Sequence, residues 1–159
     1  ASDGAVDDNF GFSVTISADG STLVVGAYRD DDKGTDSGSA YVFTNTSGSY
    51  TQVAKLLASD GAAGDFFGYS VSVSADGSTV VVGARGADDL GAGSGSAYVF
   101  TNTSGSYEEV QKLTASDGAA DDQFGVSMAM SADGSTVVIG AYGDDDLGSN
   151  SGSAYVFGG

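Results

Sequence analysis

The stretch SGSAYVF occupies residues 37–43, and the same seven residues return at 94–100 and 151–157, each 57 positions after the last. Other segments keep the same register. ASDGA stands at 1–5, 58–62 and 115–119, SADGST at 17–22, 74–79 and 131–136, and Phe-Gly at 10–11, 67–68 and 124–125. A fixed period without insertions marks a repeat architecture. The units divide the 159 residues into 1–57, 58–114 and 115–159.

One unit reads as four strands. In GFSVTIS (11–17), Phe12, Val14 and Ile16 alternate with Ser13, Thr15 and Ser17, the period of a half-buried strand. Asp19-Gly20 supplies a tight turn. STLVVGA (21–27) is nearly continuous in apolar residues and is expected to be buried on both faces. The polar loop 28–38 leads to a third strand at 39–45. TSGS turns the chain, and the more polar YTQVAKLL (50–57) forms the fourth. The expected fold class is therefore all-β, with three antiparallel repeats of 57 residues built as β-propeller blades and the last lacking its fourth strand. A small sheet cannot bury two faces alone, and radial stacking on its neighbours solves that. A β-helix would need a shorter period.

Composition narrows the function. Asp and Glu number 22 against five bases, Arg29, Lys33, Lys55, Arg85 and Lys112, giving a net charge of −17. Such a surface repels phosphate backbones and anionic membranes, which argues against nucleic-acid binding and membrane insertion. Cations or basic proteins suit it better, and solubility alone is a sufficient reason for it. There is no Cys and no His, so thiolate sites and the usual near-neutral acid–base group are excluded. No apolar run reaches the ~20 residues of a membrane helix. The chain starts without Met, as expected of a mature or excised piece.

The Phe-Gly pairs, each followed by a strand pair and Gly-Ala, resemble the FG-GAP repeat of integrin α-subunit propellers and bacterial surface proteins. The matching residues are Phe10-Gly11 with Gly26-Ala27, Phe67-Gly68 with Gly83-Ala84, and Phe124-Gly125 with Gly140-Ala141. The resemblance implies one blade per repeat, an extracellular or cell-surface setting, and binding or adhesion rather than catalysis. Two departures stand out. The proline after Gly-Ala is replaced by Tyr28, Arg85 and Tyr142, and the calcium loop such repeats often carry between their first strands is only SADGST here. One carboxylate there cannot supply the six to eight oxygens of a calcium cage.

Meander topology gathers the acids. The loop between strands two and three and the link to the next unit lie at one end of each sheet, and together they hold 17 of the 22 acidic residues. Two readings of this rim stand side by side. The Asp side chains can cap their own turns, or they can bind Ca²⁺, with Asp31, Asp32, Asp88, Asp89, Asp145 and Asp146 as the recurring candidates. Asp3/Asp8, Asp60/Asp65 and Asp117/Asp122 in the links are expected to fix the Phe-Gly turn. By resemblance, Tyr28, Arg85 and Tyr142 lie at the edge of a ligand-binding rim for a protein or glycan; packing between blades is the alternative for the two tyrosines. Asn45-Thr46-Ser47 and Asn102-Thr103-Ser104 fit glycosylation sequons and read as turns.

Catalysis has one route to consider, a carboxylate pair acting on glycosides. The carboxylates here are triplicated, whereas a catalytic pair occurs once in an asymmetric cleft. The expectation is no enzyme, with a glycoside hydrolase fragment as a remote alternative. Eleven strands do not make a closed ring of 4–8 blades. Three arrangements remain: a fragment of a longer propeller, two chains joined head to tail in a six-bladed ring, or an open stack. Self-association, even as a purely structural scaffold, is expected.

Overall fold

The computed structural model describes residues 1–158 and contains three antiparallel sheets, each formed within one repeat. The first sheet runs β1 (Ser13–Ile16), β2 (Thr22–Ala27), β3 (Ser39–Thr46) and β4 (Ser49–Leu56) in sequence order. The second repeats it with β5 (Phe67–Val73), β6 (Thr79–Ala84), β7 (Ser96–Thr103) and β8 (Ser106–Leu113). The third holds β9 (Ser127–Met130), β10 (Thr136–Ala141) and β11 (Ser153–Gly158), leaving β11 as an edge among the described residues.

The turns fall where the sequence placed them. In the first SADGST turn the Asp19 carboxylate accepts from Ser21 N at 2.8 Å and from Ser17 Oγ at 2.7 Å. Equivalent bonds hold Asp76 and Asp133, and the donated protons pull both carboxyls down to about 2.

Stacking sets the core. Val80 and Val82 of β6 point into the apolar cluster shared with the first sheet, and Val81 between them points into the cluster shared with the third. The uninterrupted apolar run of this strand is thus used on both sides, and each fully buried valine contributes roughly 1.5–3 kcal/mol. Phe67 and Phe124 are buried where the sheets meet, each edge-on to the tyrosine and phenylalanine of its own third strand.

Close approach at these interfaces requires glycine, as Gly26 and Gly83 show. A Cβ on Gly26 would collide with the carbonyl oxygen of Gly68, and one on Gly83 with that of Gly125. Ser13 Oγ donates to the same Gly68 oxygen at 2.7 Å, and Ser70 Oγ to Gly125 O at 2.6 Å. The second and third Phe-Gly turns are therefore seated on the Gly-Ala ends of the first and second sheets.

Candidate functional site

The acidic end of the first sheet is organised around one lysine. Strand pairing sets Lys55 opposite Tyr41. Its ammonium reaches Asp3 at 2.7 Å, Asp30 at 3.0 Å and Asp32 at 2.5 Å. The Tyr41 hydroxyl lies within hydrogen-bond distance of Asp30 (2.8 Å) and Asp3 (2.9 Å), and Ser39 Oγ donates to Asp30 at 3.0 Å. Burial opposes the charge on Asp30, yet the bonds from Tyr41, Lys55 and Ser39 outweigh it and its carboxyl falls below the ordinary range. Burial raises Tyr41 to about 12. Burial also disfavours the Lys55 charge, but its carboxylates and Tyr41 push the ammonium well above the usual lysine value.

The second repeat keeps the device with one change. Lys112 sits opposite Tyr98 and pairs with Asp60 at 2.6 Å and with Asp89. Ala87 takes the place of the buried aspartate. In the third repeat Tyr155 Oη is 2.7 Å from Asp117 and 2.9 Å from Asp144, as in the first, but among the described residues no ammonium joins them. The charges of Asp144 and Asp117 accordingly raise the Asp146 carboxyl.

The Asp candidates in the loops divide between two tasks. Asp31, Asp88 and Asp145 accept backbone N–H bonds from Asp36, Gly93 and Asn150 within their own loops. Asp32 and Asp89 meet the lysines, while Asp146 meets no cation among the described residues. Among the described residues, no group of three or more carboxylates is gathered to hold a metal ion. In the links, Asp8, Asp65 and Asp122 hold the turn before Phe-Gly by accepting from Ala5, Ala62 and Ala119 N. Asp3 and Asp60 turn instead toward the lysines.

The three rim residues have different surroundings. Tyr28 packs against Phe12, Phe66 and Tyr69 between the first two sheets. Arg85 stacks on Phe66 and Tyr69 and donates to Gln123 Oε1 at 2.6 Å, joining the second sheet to the third link. Tyr142 is exposed. Tyr28 and Arg85 therefore meet on the same two rings, Phe66 and Tyr69. Sequence alone marks Lys55 as part of a polar outer strand and Lys112 as one of five bases. The signal that identifies them is the recurring Tyr-x-x-Val-x-Lys-Leu of both fourth strands, in which pairing sets the lysine beside a buried tyrosine.

The two outer sheets present a second kind of surface. Phe10 is 42% exposed, whereas its equivalents Phe67 and Phe124 are 0% exposed. At the opposite end Val138 is 40% exposed, whereas Val24 and Val81 are 0% exposed. The nearest atoms to a Cβ on Gly140 all belong to Ser127 of its own sheet. One end therefore presents an unseated Phe-Gly turn, and the other presents an unfilled seat.

The FG-GAP repeat model matches residues 1–43, 50–100 and 107–157. The chain belongs to the FG-GAP repeat family. Its Phe-Gly turns are the pieces that dock from sheet to sheet, and its Gly-Ala ends are the surfaces that receive them. Comparison with curated proteins gave no match. Among solved structures, the FG-GAP chain is similar in fold to a protein assigned as a 6-phosphogluconolactonase from Bacteroides uniformis, at 14% identity and a TM-score of 0.53. That match covers 92% of this chain and 36% of the other, so the chain spans about a third of that structure's length.

Proposed function

We propose that this FG-GAP chain is a non-catalytic, extracellular or cell-surface binding module that works by association through the ends of its stack. The observation that carries the reading is the pair of end faces. Each leaves exposed the residues that the internal interfaces bury, and the two are complementary. A second copy set head to tail would place its Phe10-Gly11 turn on Gly140, with Ser127 Oγ donating to the Gly11 carbonyl as Ser70 does to Gly125. Such a heterologous contact closes into a ring or extends as an open stack. Two copies would supply six blades, within the range of closed propellers.

Size-exclusion chromatography with light scattering tests the reading. A dimer or larger species is expected, and Phe10→Asp is expected to return it to monomer with the fold intact. A well-folded wild-type monomer at all concentrations would contradict it.

Adhesion to a protein or glycan through the acidic rim, and calcium binding through its Asp loops, are further proposals for the same module. The arrangement of Lys55 and Lys112 supports charge neutralisation from within in two of the three repeats, which leaves calcium little to add there. Calorimetric titration with Ca²⁺ is the test, and saturable binding with a raised melting temperature would establish the metal. The absence of His and Cys and the triplication of the carboxylates support the non-catalytic reading. Turnover of a polysaccharide, abolished by one Asp→Asn change, would overturn it.

A further inference from the structure

We infer that Arg85 and the rings around it form a docking site for a glycan bearing a sugar with one carboxylate. The inference rests on the binding role proposed above for the rim and names its ligand. The site lies inside the stack. Tyr28 and Arg29 follow β2, Phe66 precedes β5, Tyr69 lies in β5, Arg85 follows β6, and Gln123 belongs to the third link.

The first observation is a guanidinium whose donors are not all used. The chain has 22 acidic residues and five bases. Lys55 and Lys112 pair with carboxylates, Arg29 Nε lies 3.9 Å from Asp36, and Lys33 donates to the carbonyls of Ala58 and Ser59. Arg85 pairs with no carboxylate among the described residues. Its Nη1 donates to Gln123 Oε1 at 2.6 Å, and its Nε is buried without an acceptor. Keeping a buried donor unpaired is costly, and an incoming anion relieves that cost. Nε and Nη2 form the side of a guanidinium that takes both oxygens of a carboxylate. Arg85 is only half-buried, so a carboxylate meets Nη2 first and closes onto Nε.

The second is the run of rings. Arg85 Cζ lies 4.9 Å from the ring centre of Phe66 and 4.4 Å from that of Tyr69. Tyr28 packs on the same two rings at 5.8 and 5.3 Å, and Arg29 Cζ lies 5.5 Å over Tyr28. The two arginines of the chain thus stand at the two ends of one aromatic run. Stacking holds a guanidinium in a fixed plane. The rings offer apolar area suited to the C–H face of a sugar.

The third is the charge of the surroundings. The run lies at the end of the sheets that carries the acidic loops, within a chain of net charge −17. A polyanion is repelled there. A hydroxyl-rich chain with a single carboxylate is not, because its hydroxyls donate to acids such as Asp36, beside Arg29, while the arginines take its charge. That combination favours a glycan over an acidic peptide.

The test titrates the full chain calorimetrically with sialyllactose and with cellobiouronic acid, against lactose, cellobiose and sodium acetate. Saturable one-to-one binding of at least one acidic sugar is expected, at least roughly tenfold tighter than its neutral parent or acetate. Arg85→Gln should weaken it at least roughly tenfold, and Arg85→Lys should not restore it, since an ammonium has no fork. Arg29→Gln, at an exposed side chain, should weaken it roughly threefold, and it decides the matter if the Arg85 variants fail to fold. Failure of both acidic sugars to bind, affinity equal to the neutral parents, or affinity unchanged in the arginine variants would overturn the site. Equal binding of a capped tripeptide with one glutamate at its centre would overturn the glycan and leave the rim to a protein partner. Self-association, read by light scattering, is untouched by any of these results.

Discussion

Lys55 Nζ lies 2.7 Å from Oδ2 of Asp3, a carboxylate 52 positions upstream, and Lys112 meets Asp60 across the same interval. The last strand of each complete repeat is thereby tied to the link that opens it. The repeat is closed on itself at its acidic end, where the neighbouring carboxylates would otherwise repel one another. Removing one partner of such a cluster costs more than the pair contributes, because the remaining charges stay desolvated. Lys55→Met is expected to destabilise the chain by about 2 kcal/mol in urea unfolding, and Lys112→Met by about 1–2 kcal/mol, since Ala87 replaces one of the buried acids. Unchanged midpoints for both would remove the lysines from the account.

Acid should act through the same groups. The carboxyl of Asp3 is lowered chiefly by the bond from Lys55, and those of Asp30 and Asp60 are lowered by bonds from tyrosine and lysine that outweigh burial. A carboxyl lowered by folding contributes stability that is complete above its unfolded value of about 3.9 and is lost as pH falls through the folded value. Tyr41, raised to about 12, works at the other end. Its contribution is complete below about 10 and is lost as pH climbs through the folded value. Thermal melts from pH 7 downward should show a steep loss only below about pH 4, shallower in the Lys55→Met, Lys112→Met double variant.

Glycine substitution separates a filled seat from an empty one. Gly83→Ala drives a methyl into the Gly125 carbonyl and is expected to cost more than about 3 kcal/mol. Gly140→Ala meets only the Ser127 side chain and backbone of its own sheet, and in dilute monomer should cost less than about 1 kcal/mol. Comparable losses at the two positions, read by chemical denaturation, would mean that docking of the Phe-Gly turn does not set the requirement for glycine.

The order of strands and the sheet boundaries were legible because each repeat spells them in alternating residues and Asp-Gly turns. β6 was readable as buried on both faces, since Val80, Val81 and Val82 leave no polar side to turn outward. Exposure was not legible. Val14 and Val71 occupy equivalent positions, yet Val14 is 68% exposed and Val71 9% exposed, because only the second has a sheet in front of it. Periodicity reports which face is apolar and says nothing about whether a neighbour covers it. The acidic end was located correctly by topology, but its organiser was missed. Lys55 lies in the wettest strand of the repeat, and only cross-strand register brings it to Tyr41, Asp30 and Asp3. The loop aspartates looked like ligands in sequence because capping and coordination use the same residue type. Asp31 and Asp88, bonded to their own loops' amides, show the first use.

Native-state hydrogen exchange on dilute, monomeric protein tests most directly whether the sheets are held by lying against one another. The strands β2, β6 and β10 have nearly the same sequence and the same strand pairing on both sides, so local propensity predicts equal protection. Stacking predicts that the amides of β6, covered on both faces, exchange at least roughly tenfold more slowly than those of β2 and β10. Equal rates in all three strands would contradict the account.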